Sequence, residues 1–245
     1  QVPAILDFLG IPYTGSGALA LAVSLNKTLT KKLFEGAGIP TPKYRLITDP
    51  ADVSDEGLKY PLIAKPNSEG SGKGITMSSV VRNKAELTRE VEKTSRVYRQ
   101  EILVEEFIEG RELTVGILGN YPPAVLPILE IDFSSCKASG EFFYTWKVKE
   151  FEKEVEEDKG LSPYWHCPAR LSEAEAKIIR ETALKAFHTI GCVDLSRVDI
   201  MLGHDGVPYV LEVNPLPGLD PVDSNFPYIA KCAGMNYGEL MNRIL

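Results

Sequence analysis

The chain has 245 residues, of which 44% are hydrophobic and 25% are charged, and its formal net charge is −7. These values are ordinary for a globular protein and exclude a mainly disordered chain. At roughly 100–200 residues per domain, the length fits one large or two small domains. The acidic balance, without a long basic run, argues against a broad surface for nucleic acid or anionic membranes.

Several features predict a cytoplasmic protein that binds neither nucleic acid nor membrane. No apolar run approaches the roughly 18 residues that a membrane span requires. The first residues, QVPAILDFLG, lack the basic start and small-residue cleavage site of a secretion signal. The four cysteines are widely scattered and form no CxxC pair, which favours reduced thiols over a zinc site or a disulfide framework.

Helices and strands are predicted in a mixed order. The first half contains a short helix with extended chain (AILDFLGIPYTGSG), a helix (ALALAVSLNKTLTKKLFEGAGIPTP), a strand (YPLIAKP), a glycine-rich loop (NSEGSGKG), a strand (ITMSSVV) and a helix (KAELTREVEKTS). Two strands (ILVEEFI, ELTVGIL), a charged segment (KVKEFEKEVEEDKG), a helix (SEAEAKIIRETALKAFHTIG) and a hairpin (DIMLGHDGVPYVLEVN) follow. The last helix is the clearest, because Ser172 and Glu175 form a capping-box pattern and Gly191 closes it. Without strict alternation of strands and helices, an α+β fold is favoured over a doubly wound parallel sheet.

The last hairpin brings two carboxylates together. Asp205-Gly206 is a strong signal for a two-residue turn, which would pair His204 with Val207. Continued along the ladder, this register places Asp199 opposite Glu212. The opposite face of the hairpin is predicted to enter the core, and it carries Val198, Ile200, Leu202, Leu211 and Val213.

The same register places Arg197 opposite Asn214, and alternation puts all four polar side chains on one face. Directly opposed like charges repel, so Asp199 against Glu212 requires a compensating cation. A hard divalent ion such as Mg²⁺ takes oxygen ligands, and two carboxylates with an amide carbonyl fit it. The alternative is an ordinary solvated face, in which Arg197 alone neutralises the pair.

A second candidate site is the glycine-rich loop that follows Lys65. Glycines let backbone N–H groups approach phosphate oxygens, and a lysine adds positive charge. It is not a Walker loop, because Gly72-Lys73 is followed by Gly74 rather than Ser or Thr, and taken alone it is also compatible with a simple turn. After the hairpin, Gly218 in NPLPGLDP is a candidate donor to a developing oxyanion; the alternative is a plain proline-rich connector.

Five segments resemble the ATP-grasp superfamily, specifically the D-alanine–D-alanine ligase family. They are YTGSG…LNKTLTKKLFEGAGIPTP, LIAKPNSEGSGKGI, ILVEEFIEGRELTV, GCVDLSRVDIML and LEVNPLPG. The resemblance runs nearly end to end and implies an ATP-grasp fold, with ATP between two α+β subdomains of largely antiparallel sheets. It divides the chain into 1–25, the remnant of an N-terminal domain, 26–107, the central subdomain, and 108–245, the C-terminal subdomain with the metal site.

The resemblance also implies roles for individual residues. The nucleotide-binding positions are Lys27, Lys65, Glu69, Gly70, Ser71, Gly72, Gly74, Glu105, Glu106, Phe107, Ile108, Glu112 and Lys147. The catalytic positions are Ser71, Lys147, Arg197 and Gly218, and the ligands of Mg²⁺ or Mn²⁺ are Asp199, Glu212 and Asn214. Lys147 lies on the charged segment near Tyr144, and Lys149 is its rival as the phosphate-contacting lysine.

The implied activity is an ATP-dependent ligase that joins two D-alanines in peptidoglycan precursor synthesis. The carboxylate of one amino acid attacks the γ-phosphate to give an acylphosphate, and the amine of the second then displaces phosphate. A relative that joins other amino or hydroxy acids is one alternative. Another is a nucleotide-binding module that is inactive in this truncated form; the retained carboxylates and Arg197 disfavour it, and the missing N-terminal domain favours it.

Three departures from the family pattern bear on these alternatives. The N-terminal domain, which supplies a glutamate for the first amino acid, is essentially missing from this chain. Gly72 replaces a second loop serine, and Asp223 stands where the family has a serine, although Ser224 substitutes if the loop shifts by one residue. Family members commonly dimerise through surfaces partly in the missing domain, so we expect a homodimer for the full-length protein and a monomer for this chain.

Overall fold

The computed structural model describes residues 1–139 and 163–245, except for the side chains of 137–139. The helices are α1 (Val2–Leu9), α2 (Ala18–Leu25), α3 (Lys27–Ala37), α4 (Lys84–Tyr98), α5 (Glu173–Ile190), α6 (Asn225–Cys232) and α7 (Tyr237–Ile244). The strands are β1 (Tyr44–Ile47), β2 (Leu62–Pro66), β3 (Val80–Val81), β4 (Ile102–Glu106), β5 (Gly110–Leu118), β6 (Ala124–Asp132), β7 (Tyr164–His166), β8 (Leu195–Gly203) and β9 (Pro208–Asn214). Short 3₁₀ helices span Met77–Ser79 and Phe133–Ser139.

The strands form two sheets, in the orders β1-β4-β2-β3 and β7-β6-β5-β8-β9. Every strand pairing within the described residues is antiparallel, and the predicted α+β class is confirmed. Helix α4 covers the first sheet through the fully buried Leu87 and Val91. Burying each such side chain stabilises the fold by roughly 1.5–3 kcal/mol.

The second sheet is covered differently on its two faces. Helix α5 packs Ile179 and Phe187 into the core on one face. Helix α6 covers only part of the other face, where a side chain added at Gly116 would meet the Phe226 ring at 3.4 Å. The uncovered part of that face, on β5, β8 and β9, is left to line a cavity.

Helix α5 begins and ends as the sequence predicts. Ser172 accepts a hydrogen bond from the Glu175 backbone N–H, the Glu175 carboxylate accepts one from the Ser172 backbone N–H, and Gly191 closes the helix in the left-handed conformation. An N-cap of this kind stabilises a helix by about 1 kcal/mol. At 18 residues α5 is long but amphipathic. Across the described ranges, no helix has both the length and the apolar character to cross a membrane.

Two predicted elements are wrong in part. The single helix predicted after residue 17 is two helices, because Asn26 takes an extended conformation and its side chain caps α3 by accepting a hydrogen bond from Leu29 N at 3.0 Å. The predicted strand ITMSSVV is a strand only at its end, since Met77–Ser79 form a 3₁₀ helix capped by Thr76. Both errors come from side-chain caps that interrupt an otherwise regular pattern.

The turn of the last hairpin is also wrong by one residue. Gly203, rather than His204, faces Val207, and its N–H donates to the Val207 carbonyl at 3.0 Å. The loop therefore has three residues and ends at Gly206, whose φ is 77°. A turn followed by a left-handed glycine is the usual form of a three-residue hairpin.

A β-bulge then restores the predicted register where it matters. The pairing shifts after Ile200↔Val210, so that Asp199 faces Glu212 as predicted. The extra residue is Leu211, which leaves the core and lines the cavity, contrary to the prediction, while Val210 takes its place in the core. The strand beside the bulge is also held from its open edge, because Val210 N–H donates to the Pro40 carbonyl at 2.8 Å.

Candidate active site

A cavity of about 420 Å³ lies between the two sheets, a size that suits a small-molecule ligand. The predicted site residues that line it are Lys27, Lys65, Glu69, Ser71, Gly72, Glu105, Glu106, Phe107, Ile108, Glu112, Arg197, Asp199, Glu212, Asn214 and Gly218. Gly70 and Gly74 belong to the same loop but do not line the cavity. Lys147, its rival Lys149 and the neighbouring Tyr144 lie outside the described residues.

The four polar residues of β8 and β9 form a connected cluster. Arg197 donates to Asp199 through Nε at 3.0 Å and Nη2 at 2.8 Å. Asn214 Nδ2 donates to Asp199 Oδ2 at 3.1 Å and to Glu212 Oε1 at 3.2 Å. Thr114 on β5, which the sequence analysis missed, donates to Asp199 Oδ1 at 3.0 Å. The three residues of the proposed metal site thus belong to one hydrogen-bonded group.

The donor set of this cluster fits a hard divalent cation. Two carboxylates face each other, and the single charge of Arg197, 3.9 Å from Glu212 Oε1, leaves one negative charge in excess. A half-turn of the Asn214 amide presents its oxygen instead of its nitrogen to a cation. Within residues 1–139 and 163–245, no three His, Cys, Asp or Glu side chains group together as metal ligands. An ion here therefore also needs the Asn214 amide oxygen and oxygens from a bound substrate.

Two lysines line the same cavity. Lys65 lies on the fully buried strand β2, and Lys27 is the first residue of α3. Lys27 Nζ donates to the Glu69 carbonyl of the glycine-rich loop. Burial lowers the pKa of Lys27 to about 8; Glu212 opposes this lowering and Lys65 adds to it. Two cations held this close, partly out of water, suit a polyanionic ligand such as a triphosphate.

The glycine-rich loop takes left-handed backbone conformations. Ser71, Gly72 and Gly74 have φ values of 56°, 70° and 79°, which favour glycine at most of these positions. A side chain at Gly74 would lie 2.5 Å from Pro66 Cγ, so this glycine lets the loop pack on the end of β2. At position 72 the family's serine is replaced by a residue that adopts the observed φ without strain.

Asn67 joins this loop to α3, a role that the sequence analysis missed. Its side chain is 1% exposed, and Oδ1 accepts hydrogen bonds from Thr28 N at 3.0 Å and Thr28 Oγ1 at 2.8 Å. Its backbone carbonyl accepts from Lys27 N at 3.0 Å. Asn67 therefore fixes Lys27 beside Lys65, and no local pattern in the sequence reports such a long-range contact.

Glu105 is held between two lysines at the cavity wall. The carboxylate, 2% exposed, pairs with Lys65 through Oε1 and with Lys31 through Oε2 at 2.7 Å. Burial alone would raise the pKa of Glu105, but the attraction of both lysines holds it at about 2. Lys31 was not predicted, although it stands four residues after Lys27, the spacing that places two side chains on one helix face.

The remaining wall beside Glu105 is mostly apolar. Phe107 and Ile108 line it, and Phe107 is anchored by its N–H, which donates to the Pro61 carbonyl at 2.9 Å. Glu106 instead accepts a hydrogen bond from Lys59 N at 3.0 Å. Apolar residues that the sequence analysis did not assign to the site complete this wall, namely Ile63, Ile75, Ile131, Met201 and Leu211. Such a surface suits the flat face of a base.

Gly218 lines the same cavity as Arg197. A side chain at Gly218 would lie 2.6 Å from Ser224 Oγ, so the close approach of these two segments requires glycine. Ser224 Oγ accepts a hydrogen bond from Asp220 N at 3.2 Å. Asp223, Ser224 and Asn225 all line the cavity, which leaves both candidates for the family's serine position beside the site.

Comparison with known proteins identifies the family. The family model described as D-ala D-ala ligase C-terminus matches residues 33–245. A D-alanine–D-alanine ligase of Desulforamulus reducens is 37% identical over all of this chain and 75% of its own length.

Solved structures agree with this match. The D-alanine–D-alanine ligase of Bacillus anthracis complexed with ATP has a TM-score of 0.78 and 29% identity, covering all of this chain and 72% of that one. The VanG D-Ala:D-Ser ligase of Enterococcus faecalis has a TM-score of 0.78 and 28% identity, covering all of this chain and 67% of that one. These likenesses confirm the predicted ATP-grasp fold. The chain belongs to the D-alanine–D-alanine ligase family.

Proposed function

We propose that this chain is an ATP-dependent ligase that joins two D-alanines through an acylphosphate. The observation that carries the proposal is that one cavity is lined both by Lys27 and Lys65 and by the Asp199 cluster with its guanidinium. Glu212 of that cluster is near enough to Lys27 to oppose the lowering of its pKa. The relative complexed with ATP supports the same nucleotide here.

In the first step, an oxygen of the first carboxylate attacks the γ-phosphorus, and the bond from that phosphorus to ADP breaks. Lys27, Lys65 and the backbone N–H groups of residues 69–74 hold the phosphates in line for this attack. Asp199, Glu212 and Asn214 are the residues that would hold Mg²⁺ or Mn²⁺, which when bound neutralises phosphate charge. The products are an acylphosphate and ADP.

In the second step, the amine of the second D-alanine attacks the acyl carbon and phosphate leaves with the shared oxygen. Negative charge develops on the acyl oxygen during this attack. In this mechanism the Arg197 guanidinium and the Gly218 N–H, from two residues that line the cavity, receive that charge. The planar donors of arginine orient an oxyanion better than a point charge would. An amide bond and inorganic phosphate result.

A ligase for a different second substrate is the other candidate. Asp223, Ser224 and Asn225 make the Gly218 end of the cavity polar, whereas a methyl side chain needs no such partners. The structural relative from Enterococcus is a D-Ala:D-Ser ligase. A hydroxyl-bearing or hydroxy-acid second substrate would use these groups.

One assay separates the candidates. Phosphate release from ATP is measured with a panel of D- and L-amino acids and hydroxy acids, and the products are identified by mass spectrometry. We expect release that depends on D-alanine, with D-alanyl-D-alanine as the product. Release only with another pair of acids would keep the mechanism and change the substrate, and ATP binding without release would favour a binding module.

Two further expectations accompany this function. We propose that the enzyme acts in the cytoplasm, where ATP and free amino acids are available for synthesis. We also expect the full-length protein to act as a homodimer. A monomeric mass of the full-length protein in light scattering would contradict the expected homodimer.

A further inference from the structure

Lys31 is a buried cation behind the wall of the cavity. Its side chain is 1% exposed. Nζ lies 2.7 Å from Glu105 Oε2, donates to Thr41 Oγ1 at 2.7 Å, and stands 5.4 Å from the centre of the Tyr44 ring. Unlike Lys27 and Lys65, it does not line the cavity. An ionised lysine in such a place is costly unless it is paired and hydrogen-bonded, as Lys31 is with Glu105 and Thr41.

The charge of Lys31 changes the balance at Lys65. Lys65 and Glu105 alone would form a neutral pair, in which the carboxylate neutralises the charge of Lys65, the cationic side chain of β2. With Lys31 on the second carboxylate oxygen, the three groups together carry one net positive charge. Because Lys31 is enclosed and Lys65 lines the cavity, the excess charge is available on the Lys65 side.

We propose that Lys31 is a positioning residue that neutralises Glu105 and so leaves the charge of Lys65 to the phosphates of the nucleotide. The inference rests on the proposed function, since it requires ATP in this cavity. Coulombic interactions in a partly buried site are several times stronger than in water. Removing Lys31 therefore changes the binding of a highly charged ligand far more than that of a neutral one.

A purely structural role for Lys31 makes a different prediction. Thr41 Oγ1 donates to the Val210 carbonyl at 2.9 Å, so Lys31 also helps to tie α3 to β9. If this packing were its whole contribution, the variant would deform the cavity. Binding of adenosine and of ATP would then weaken by similar factors.

The experiment measures the dissociation constants of adenosine and of ATP with Mg²⁺ by calorimetry. The quantity compared between variants is the dissociation constant of adenosine divided by that of ATP, which falls when ATP binding alone weakens. For Lys31→Met we expect adenosine to bind within about twofold of wild type and ATP to bind roughly 10- to 100-fold more weakly, a loss typical of one partly buried charge. The matched control is Lys32→Met, which removes the neighbouring exposed lysine. We expect it to leave the ratio unchanged.

A second-site change tests the charge balance itself. Lys31→Met combined with Glu105→Gln returns the net charge to one positive unit on Lys65, so we expect the adenosine-to-ATP ratio to recover to within a few-fold of wild type. Glu105→Gln alone should raise that ratio, and it carries the test if Lys31→Met does not fold.

Three outcomes would overturn the inference, and a fourth would overturn the proposed function. Equal loss of adenosine and ATP in Lys31→Met, or a ratio that the double variant does not restore, would overturn the inference. For Glu105→Gln, an unchanged or lower ratio would do the same. A wild-type chain that binds no ATP would instead overturn the proposed function.

Discussion

Replacing Lys27 with methionine is expected to stabilise the fold while it weakens nucleotide binding. Lys27 is 9% exposed, and burial lowers its pKa from 10.5 to about 8. At about 1.4 kcal/mol per pKa unit, keeping this amine charged at pH 7 costs the folded state about 3 kcal/mol. Methionine has a similar length and no charge, so the variant escapes this cost.

The pH dependence of the gain has a definite sign. The folded chain releases the Lys27 proton at a lower pH than the unfolded chain does. The cost is therefore present in full below about pH 8 and disappears as the pH rises towards 10.5. Losing the hydrogen bond from Nζ to the Glu69 carbonyl offsets part of the gain, by about 1.5 kcal/mol. We expect a net increase of about 1–2 kcal/mol at pH 7.

Urea unfolding followed by circular dichroism measures this change. Wild type, Lys27→Met and the exposed control Lys32→Met are compared at pH 7 and pH 9.5. The gain should be confined to Lys27→Met, shrink at the higher pH, and accompany weaker ATP binding. A Lys27→Met chain less stable than wild type at pH 7 would refute the view that this lysine is held charged at the expense of stability.

The other predictions concern the metal, the loop and the buried carboxylate. Glu212→Ala should abolish turnover because it removes one of two opposed carboxylates. Phosphate release at the wild-type rate in that variant would contradict the proposed metal site. ADP should bind more tightly with Mg²⁺ than with EDTA; equal affinities by calorimetry would make the carboxylates structural. Asn67→Ala leaves the buried Thr28 donors unpaired and should cost roughly 2–3 kcal/mol in urea unfolding, so a change below about 0.5 kcal/mol would count against its anchoring role. The Glu105 contribution to stability is present above about pH 4.5 and lost as the pH falls towards 2, so Glu105→Gln should flatten the acid limb of the stability curve, and an unchanged acid limb would contradict the shifted pKa.

The last hairpin illustrates how far sequence reasoning reaches. The pair Asp199 and Glu212 was predicted correctly, although the turn was assigned one residue too short. The bulge at Leu211 compensates for that error, and the strand beside it is held by the hydrogen bond from Val210 N–H to the Pro40 carbonyl. The alternation of apolar and polar residues does not reveal a contact between segments 170 residues apart. The sequence therefore did not predict that Leu211 lines the cavity.

The helices and the buried polar residues show the same difference between local patterns, which the sequence reveals, and long-range contacts, which it does not. The capping box of Ser172 and Glu175 is a local pattern, and it was predicted and confirmed. Lys31 and Asn67 were missed because their importance lies in partners from distant segments. The four-residue spacing of Lys27 and Lys31 was the only local sign that a second lysine accompanies the first.

Isotope transfer tests the central claim most directly. D-alanine labelled with ¹⁸O in its carboxylate is incubated with ATP and the enzyme, and the released phosphate is examined by mass spectrometry. If the carboxylate attacks the γ-phosphorus and phosphate later leaves with that oxygen, one ¹⁸O atom must appear in each phosphate released with dipeptide. Dipeptide formed with unlabelled phosphate would contradict the acylphosphate, and with it the assignment of this cavity to carboxylate activation.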